Sequence, residues 1–163
     1  MLARPKVYLA GPVSGCTYRR ATEWRLAAIR LLAARGIEAL DPMRAQQVLA
    51  DTFGHDLRPL TELACADDVA RRDFDDVDAA DALLVDFDEG PPGTLSVGTA
   101  CEIAYAAGLG KPLFVVCGDP LGNANLRHAF VRRFLTSVEP NLSFAVARVA
   151  RHFETRRENE AAP

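Results

Sequence analysis

Several features that define whole classes of protein are missing from this chain. No apolar run approaches the roughly 18 to 20 residues of a membrane span, and the apolar stretch in MLARPKVYLAGP is too short for a secretory signal. The four cysteines, Cys16, Cys65, Cys101 and Cys117, contain no CxxC pair, which argues against both a zinc ribbon and a disulfide framework. They are expected as free thiols in a reducing cytoplasm. There is no basic excess either: 19 Lys and Arg stand against 22 Asp and Glu, a net charge of -3. That balance argues against a general nucleic-acid binder and favours a small-molecule ligand. The first turn, GPVSG, lacks the GxGxxG spacing of a dinucleotide-binding loop. His55, His128 and His152 stand alone in the sequence. No metal or organic cofactor is expected.

What the chain does have is alternation. Its 163 residues, 49% of them hydrophobic, suit one domain over residues 1–157, followed by a tail at 158–163 expected to fray. PKVYLA at 5–10 reads as a strand stopped by GPVSG. From Tyr18 to Arg35 the residues Ala21, Trp24, Ala28, Leu31 and Leu32 recur at helical spacing with arginines between them, and Gly36 marks the stop. Further strands are predicted at 37–40, 82–85 and 112–117, and helices over 61–80, around 93–112, over about 125–136 and from Leu142 to beyond Phe153. Residues 43–60 break around Gly54 and Pro59 and read as an excursion or lid carrying Phe53, His55 and Arg58. The pattern predicts an α/β, doubly wound (flavodoxin-like or Rossmann-like), mainly parallel sheet of about five strands flanked by helices.

In such sheets ligands sit beyond the carboxyl ends of the strands. That rule gathers Gly11 to Gly15, Asp86, Asp88, Ser96 and the start of the helix bearing Glu102 around one crevice. Glu102 has two readings. Thr99 three residues earlier makes a capping box possible, with Glu102 merely satisfying an amide. Alternatively, Glu102 is a carboxylate kept ionised by the positive end of a helix and free to attack a sugar carbon. A second carboxyl would then serve the leaving base. The acidic run offers Asp73, Asp75, Asp76, Asp78, Asp81, Asp86 and Asp88, most of them expected as solvated surface.

Three segments together resemble the nucleoside 2-deoxyribosyltransferase family and the related deoxynucleoside 5'-monophosphate N-glycosidases. They are KVYLAGP, RRDFDDVDAADALLV and SVGTACEIAYAAGLGKP. The resemblance implies that Glu102 is the nucleophile at the anomeric carbon, that Tyr8 orients it beside the sugar, and that Asp73 meets the departing or incoming base. It implies a preference for deoxy sugars, because of Tyr8. Ser96, six residues before Glu102, stands where the transferases usually carry aspartate and the monophosphate hydrolases carry serine. With Gly11, Ser14, Gly15 and Gly98 supplying amides or a hydroxyl to phosphate, Ser96 favours a 5'-monophosphate substrate. Family members complete the site from a neighbouring subunit, here through NANLRHAF, which retains Asn125 but has Arg127 in place of methionine. A homodimer or higher homo-oligomer is therefore expected.

The reading that follows is cleavage of the N-glycosidic bond of a 2'-deoxynucleoside or, preferentially, its 5'-monophosphate through a glycosyl-Glu102 intermediate. Water would make it a hydrolase and an acceptor base a transferase. The alternative is a nucleotide-binding or sensing module without turnover.

Overall fold

The computed structural model describes residues 4–44, 66–90 and 93–161. The excursion at 43–60, with Phe53, His55 and Arg58, lies outside these from residue 45 onward, as does Cys65. In chain order the elements are β1 (Lys6–Ala10), α1 (Tyr18–Ala33), β2 (Glu38–Leu40), α2 (Ala66–Ala79), β3 (Ala82–Asp86) and α3 (Val97–Gly108). There follow β4 (Leu113–Val116), α4 (Ala124–Arg127), α5 (Ala129–Phe134), β5 (Ser137–Glu139) and α6 (Leu142–Ala161).

All five strands are parallel, in the order β2-β1-β3-β4-β5. The chain therefore winds outward from β1 in both directions, and the switch point lies between β1 and β3. Val7 pairs with Ala82 and Ala10 with Val85, so both strands end at the same level and their exit loops open side by side. Alternate residues of β1 face opposite layers. Val7 and Leu9 join Ala28, Leu32, Phe114, Val146, Val149 and Phe153 beneath α1 and α6. Tyr8 and Ala10 join Val77, Val85, Ile103, Ala106 and Val115 beneath α2 and α3. Covering both faces explains why ALLV and LFVV are continuous apolar runs. The apolar stripe of α6 packs into the first of these layers.

Three boundaries differ from the sequence expectation. The predicted helix at 125–136 is two helices that meet at His128, whose extended backbone (ψ 118°) is the C-cap of one and the N-cap of the next. β5 has only three residues, with Val138 exposed, too little pattern to register as a strand. α6 runs on to Ala161, past the point where the tail is expected to leave regular structure. No helix among the described residues is long and apolar enough to cross a membrane.

Candidate active site

The α3 helix begins earlier than a capping box of Thr99 and Glu102 requires. Ser96 is its N-cap, which places Thr99 within the first turn and Glu102 in the second. The capping-box reading therefore fails. The Glu102 carboxylate instead accepts a hydrogen bond of 2.7 Å from the Tyr8 hydroxyl, donated across from the central strand. Tyr8 is wholly buried, and its register on β1 aims its side chain at the α2/α3 layer.

Burial also overturns the expectation that a helix terminus keeps Glu102 readily ionised. Desolvation raises its pKa from the ordinary 4.5 to about 7; the Tyr8 hydrogen bond and the Arg25 charge oppose the rise, and Asp73 adds to it. The helix's positive end falls off within its first turn, and Glu102 lies beyond it. Tyr8 is held firmly in its protonated form, first by burial and then by Glu102 and Asp73.

Asp73, on the inward side of α2, is partly buried and is the carboxyl that bears on both partners. Arg72 pairs with it at 3.0 Å and also donates to the Pro42 carbonyl at 2.9 Å. Desolvation outweighs this pairing and raises the Asp73 pKa. Its acidic neighbours are committed elsewhere. Asp76 accepts from Arg44 at 2.9 Å, Asp78 from the Tyr105 hydroxyl at 2.9 Å, and Asp81 from the Lys6 amide at 2.8 Å. Asp86 is buried at the end of β3, where it accepts the amides of Asp88 and Glu89 at 2.8 and 3.3 Å. Burial brings its pKa to about 7.

The expected binding residues fall into two groups. Gly11 is buried at the exit of β1, where a Cβ would meet the Trp24 ring at 2.9 Å and the Asp86 carbonyl oxygen at 3.0 Å. Its smallness is thus a packing requirement. Ser14 and Gly15 are exposed on the same turn, and Gly15 has the positive φ (78°) that glycine adopts readily. The second group surrounds the start of α3. The Ser96 amide donates to the Asn125 side chain at 2.9 Å, and the Ser96 hydroxyl donates to Thr99 Oγ1 at 2.8 Å rather than capping the helix. Gly98 is exposed in the first turn, Asn125 is buried, and Arg127 is exposed at the end of α4.

Sequence reasoning missed Arg25. It counted the arginines of α1 as the polar face, yet the Arg25 side chain is fully buried. The signal was available: Ala21, Arg25, Ala28 and Leu32 form one stripe at spacings of four, three and four. Its guanidinium donates to the carbonyls of Leu9 (3.4 Å), Gly11 (3.0 Å) and Ala21, lies 3.7 Å from Asp41, and stacks 4.5 Å from the Trp24 ring centre.

Fold and site together define a doubly wound α/β protein with a half-buried, tyrosine-bound carboxylate beside its switch point. The chain belongs to the nucleoside 2-deoxyribosyltransferase family, whose model matches residues 7–129, a span that includes Tyr8, Asp73, Glu102 and Asn125. No curated protein matches it. Among solved structures it is similar to the 2-deoxyribosyltransferase of the psychrotolerant bacterium Bacillus psychrosaccharolyticus, with a TM-score of 0.58 and 18% identity over 86% of this chain and 90% of that one. It is also similar to a 2-deoxyribosyltransferase from Leishmania mexicana (TM-score 0.61, 18% identity, 91% of this chain and 98% of that one). A third similar structure is a molybdenum cofactor binding protein from the phototrophic bacterium Rippkaea orientalis (TM-score 0.57, 12% identity, 94% and 99%). At such identities these likenesses speak to the fold alone.

Proposed function

We propose that this protein cleaves the N-glycosidic bond of 2'-deoxynucleosides, preferentially as their 5'-monophosphates, by covalent catalysis at Glu102. The observation that carries the reading is the 2.7 Å hydrogen bond from Tyr8 to Glu102, a half-buried carboxylate that Asp73 also addresses. One carboxylate oxygen is held by the phenol, which leaves the other to attack. A glycosidic carbon in its oxocarbenium-like transition state is the electrophile such a poorly solvated carboxylate suits.

In the first step a Glu102 oxygen bonds to the anomeric carbon as the carbon–nitrogen bond breaks. The bonding pair leaves with the base, which takes a proton from the Asp73 carboxyl. The raised Asp73 pKa favours the protonated form this step needs. In the second step water or an acceptor base attacks the same carbon and gives its proton to Asp73, and the Glu102 carboxylate departs. The family's deoxyribosyl chemistry supports this sequence.

The monophosphate preference rests on Ser96. Its hydroxyl and the adjacent first-turn amides of α3 make a neutral, donor-rich terminus suited to phosphate, where a carboxylate would repel it. Ser14, Gly15 and Gly98 are assigned the same role, with Gly11 shaping the turn, while Asn125 secures Ser96 and Arg127 contributes positive charge.

The test is chromatography of free base released from a panel of deoxynucleosides and deoxynucleoside 5'-monophosphates, with and without an acceptor base. Glu102→Ala is the control, expected to fold and to release no base. Release from monophosphates alone, without acceptor, is the expected result. Exchange on unphosphorylated nucleosides would reassign the protein as a transferase and remove Ser96 as a phosphate contact; activity in Glu102→Ala would sink the covalent mechanism.

A further inference from the structure

We propose that Arg25 is a positioning residue for this site: its buried guanidinium clamps the chain on both sides of Ala10 and fixes a positive charge behind the Tyr8–Glu102 pair. The inference rests on reading Glu102 as the attacking carboxylate.

A fully buried arginine is costly unless its charge and donors are used. Here the donors go to main-chain carbonyls. Nε reaches Leu9 and Nη2 reaches Gly11, so one planar fork spans the last residues of β1 and the first of its exit turn. Nη1 returns to Ala21 within α1, and the cation lies over the Trp24 ring. The Trp24 ring and Arg25 Nη2 in turn press on Gly11, 2.9 and 3.5 Å from where its Cβ would stand. Tyr8 is thus followed immediately by a segment held from below, which fixes where its hydroxyl meets Glu102.

The charge is not spent on a close ion pair. Among the described residues its ion-pair partner, Asp41, is 3.7 Å away, a loose approach compared with the 2.8 to 3.1 Å of the surface pairs at Glu23, Glu89 and Glu139. Asp41 is its strongest charge partner, and its field also reaches the buried groups around it. Arg25 interacts with Asp41 beyond β2, with Tyr8 on β1, with Asp86 on β3 and with Glu102 on α3, and it lowers the pKa of both Tyr8 and Glu102. The groups facing Glu102 are Tyr8 from β1, Asp73 from α2 and Arg25 from α1. Among these described groups Arg25 is the one cation, and it adds to the larger effect of the Tyr8 hydrogen bond in offsetting the cost of ionising Glu102.

The test reads the Glu102 titration directly in ligand-free protein, by carbon-13 NMR of glutamate side-chain carboxyls, with Glu102→Gln assigning the resonance. Arg25→Gln and Arg25→Met remove the charge, and Arg25→Lys restores it without the planar fork. Removing the charge is expected to move the Glu102 midpoint up by roughly half a pH unit, and Arg25→Lys to bring it back most of the way. A folded, uncharged variant with an unchanged midpoint would overturn the proposal. Where neither uncharged variant folds, Arg25→Lys decides alone: a folded Arg25→Lys whose midpoint rises by about half a pH unit although its charge is kept would overturn the proposal. The readout needs no turnover, so it is separable from the mechanism itself, which fails instead if Glu102→Gln still releases base.

Discussion

At the scale of single residues, the cost of Glu102 is the clearest quantity. Its carboxyl titrates near 4.5 in the unfolded chain and near 7 in the fold, so between those values the folded state holds more protons. Stability contributed by the neutral form is present in full below about 4.5 and is lost as pH rises through about 7. At pH 8 the ionised carboxylate then costs on the order of 3 kcal/mol. Glu102→Gln keeps an acceptor for the Tyr8 hydroxyl but cannot ionise. It is expected to be more stable than the wild type at pH 8, by several degrees in thermal unfolding, and nearly equal at pH 4. Equal melting at both values would mean that the carboxylate is better solvated than its burial implies. Base release is expected to rise with pH through about 7, and Tyr8→Phe, which removes a bond that favours the ionised form, to push that limb upward and slow turnover about a hundredfold.

At the scale of elements, the question is what holds α2, with Asp73, against α3, with Glu102. Lys111 answers much of it. Its ammonium donates to the carbonyls of Val77, Asp78 and Ala80 at 2.7, 2.6 and 2.6 Å, closing the C-terminus of α2 from the loop after α3. Lys111→Met leaves these carbonyls without their shared donor and is expected to lower stability by about 2 kcal/mol. Base release should fall in the folded variant, because Asp73 loses its fixed distance from Glu102. A variant with wild-type melting and activity would show the cap to be dispensable. The lysine also marks the limit of what the sequence can reveal. GKP reads as a helix exit, and its position is right, but nothing local says that the side chain crosses to another helix. The same limit explains the other differences. Four strands and the long helices were legible because their apolar runs and breakers are local. β5 was not located, since three residues with one exposed valine carry no period, and the kink at His128 has neither glycine nor proline to announce it. Tyr8, Asp73 and Glu102 were legible through motif resemblance, whereas Arg25 was hidden because arginine is ordinarily read as surface.

At the scale of the whole molecule, two of the most exposed large apolar side chains lie close to the candidate site. Val97 and Phe130 are 71% and 74% exposed, although both belong to helices that pack against one another, α3 and α5. Both sit next to site residues: Val97 follows Ser96, and Phe130 lies three residues beyond Arg127. The 2.9 Å bond from Ser96 to Asn125 ties these two segments together. We infer that a second copy of this chain covers this surface, the arrangement that the family resemblance implies. Phe130→Glu puts a charge in that contact without touching Tyr8, Asp73 or Glu102. Light scattering during size-exclusion chromatography is expected to give a dimer or larger assembly for the wild type and a monomer for Phe130→Glu, with the Glu102 titration unchanged and base release reduced at least tenfold. A wild-type monomer would remove the partner from the site, and a monomeric variant with full activity would mean that each chain's pocket is complete by itself.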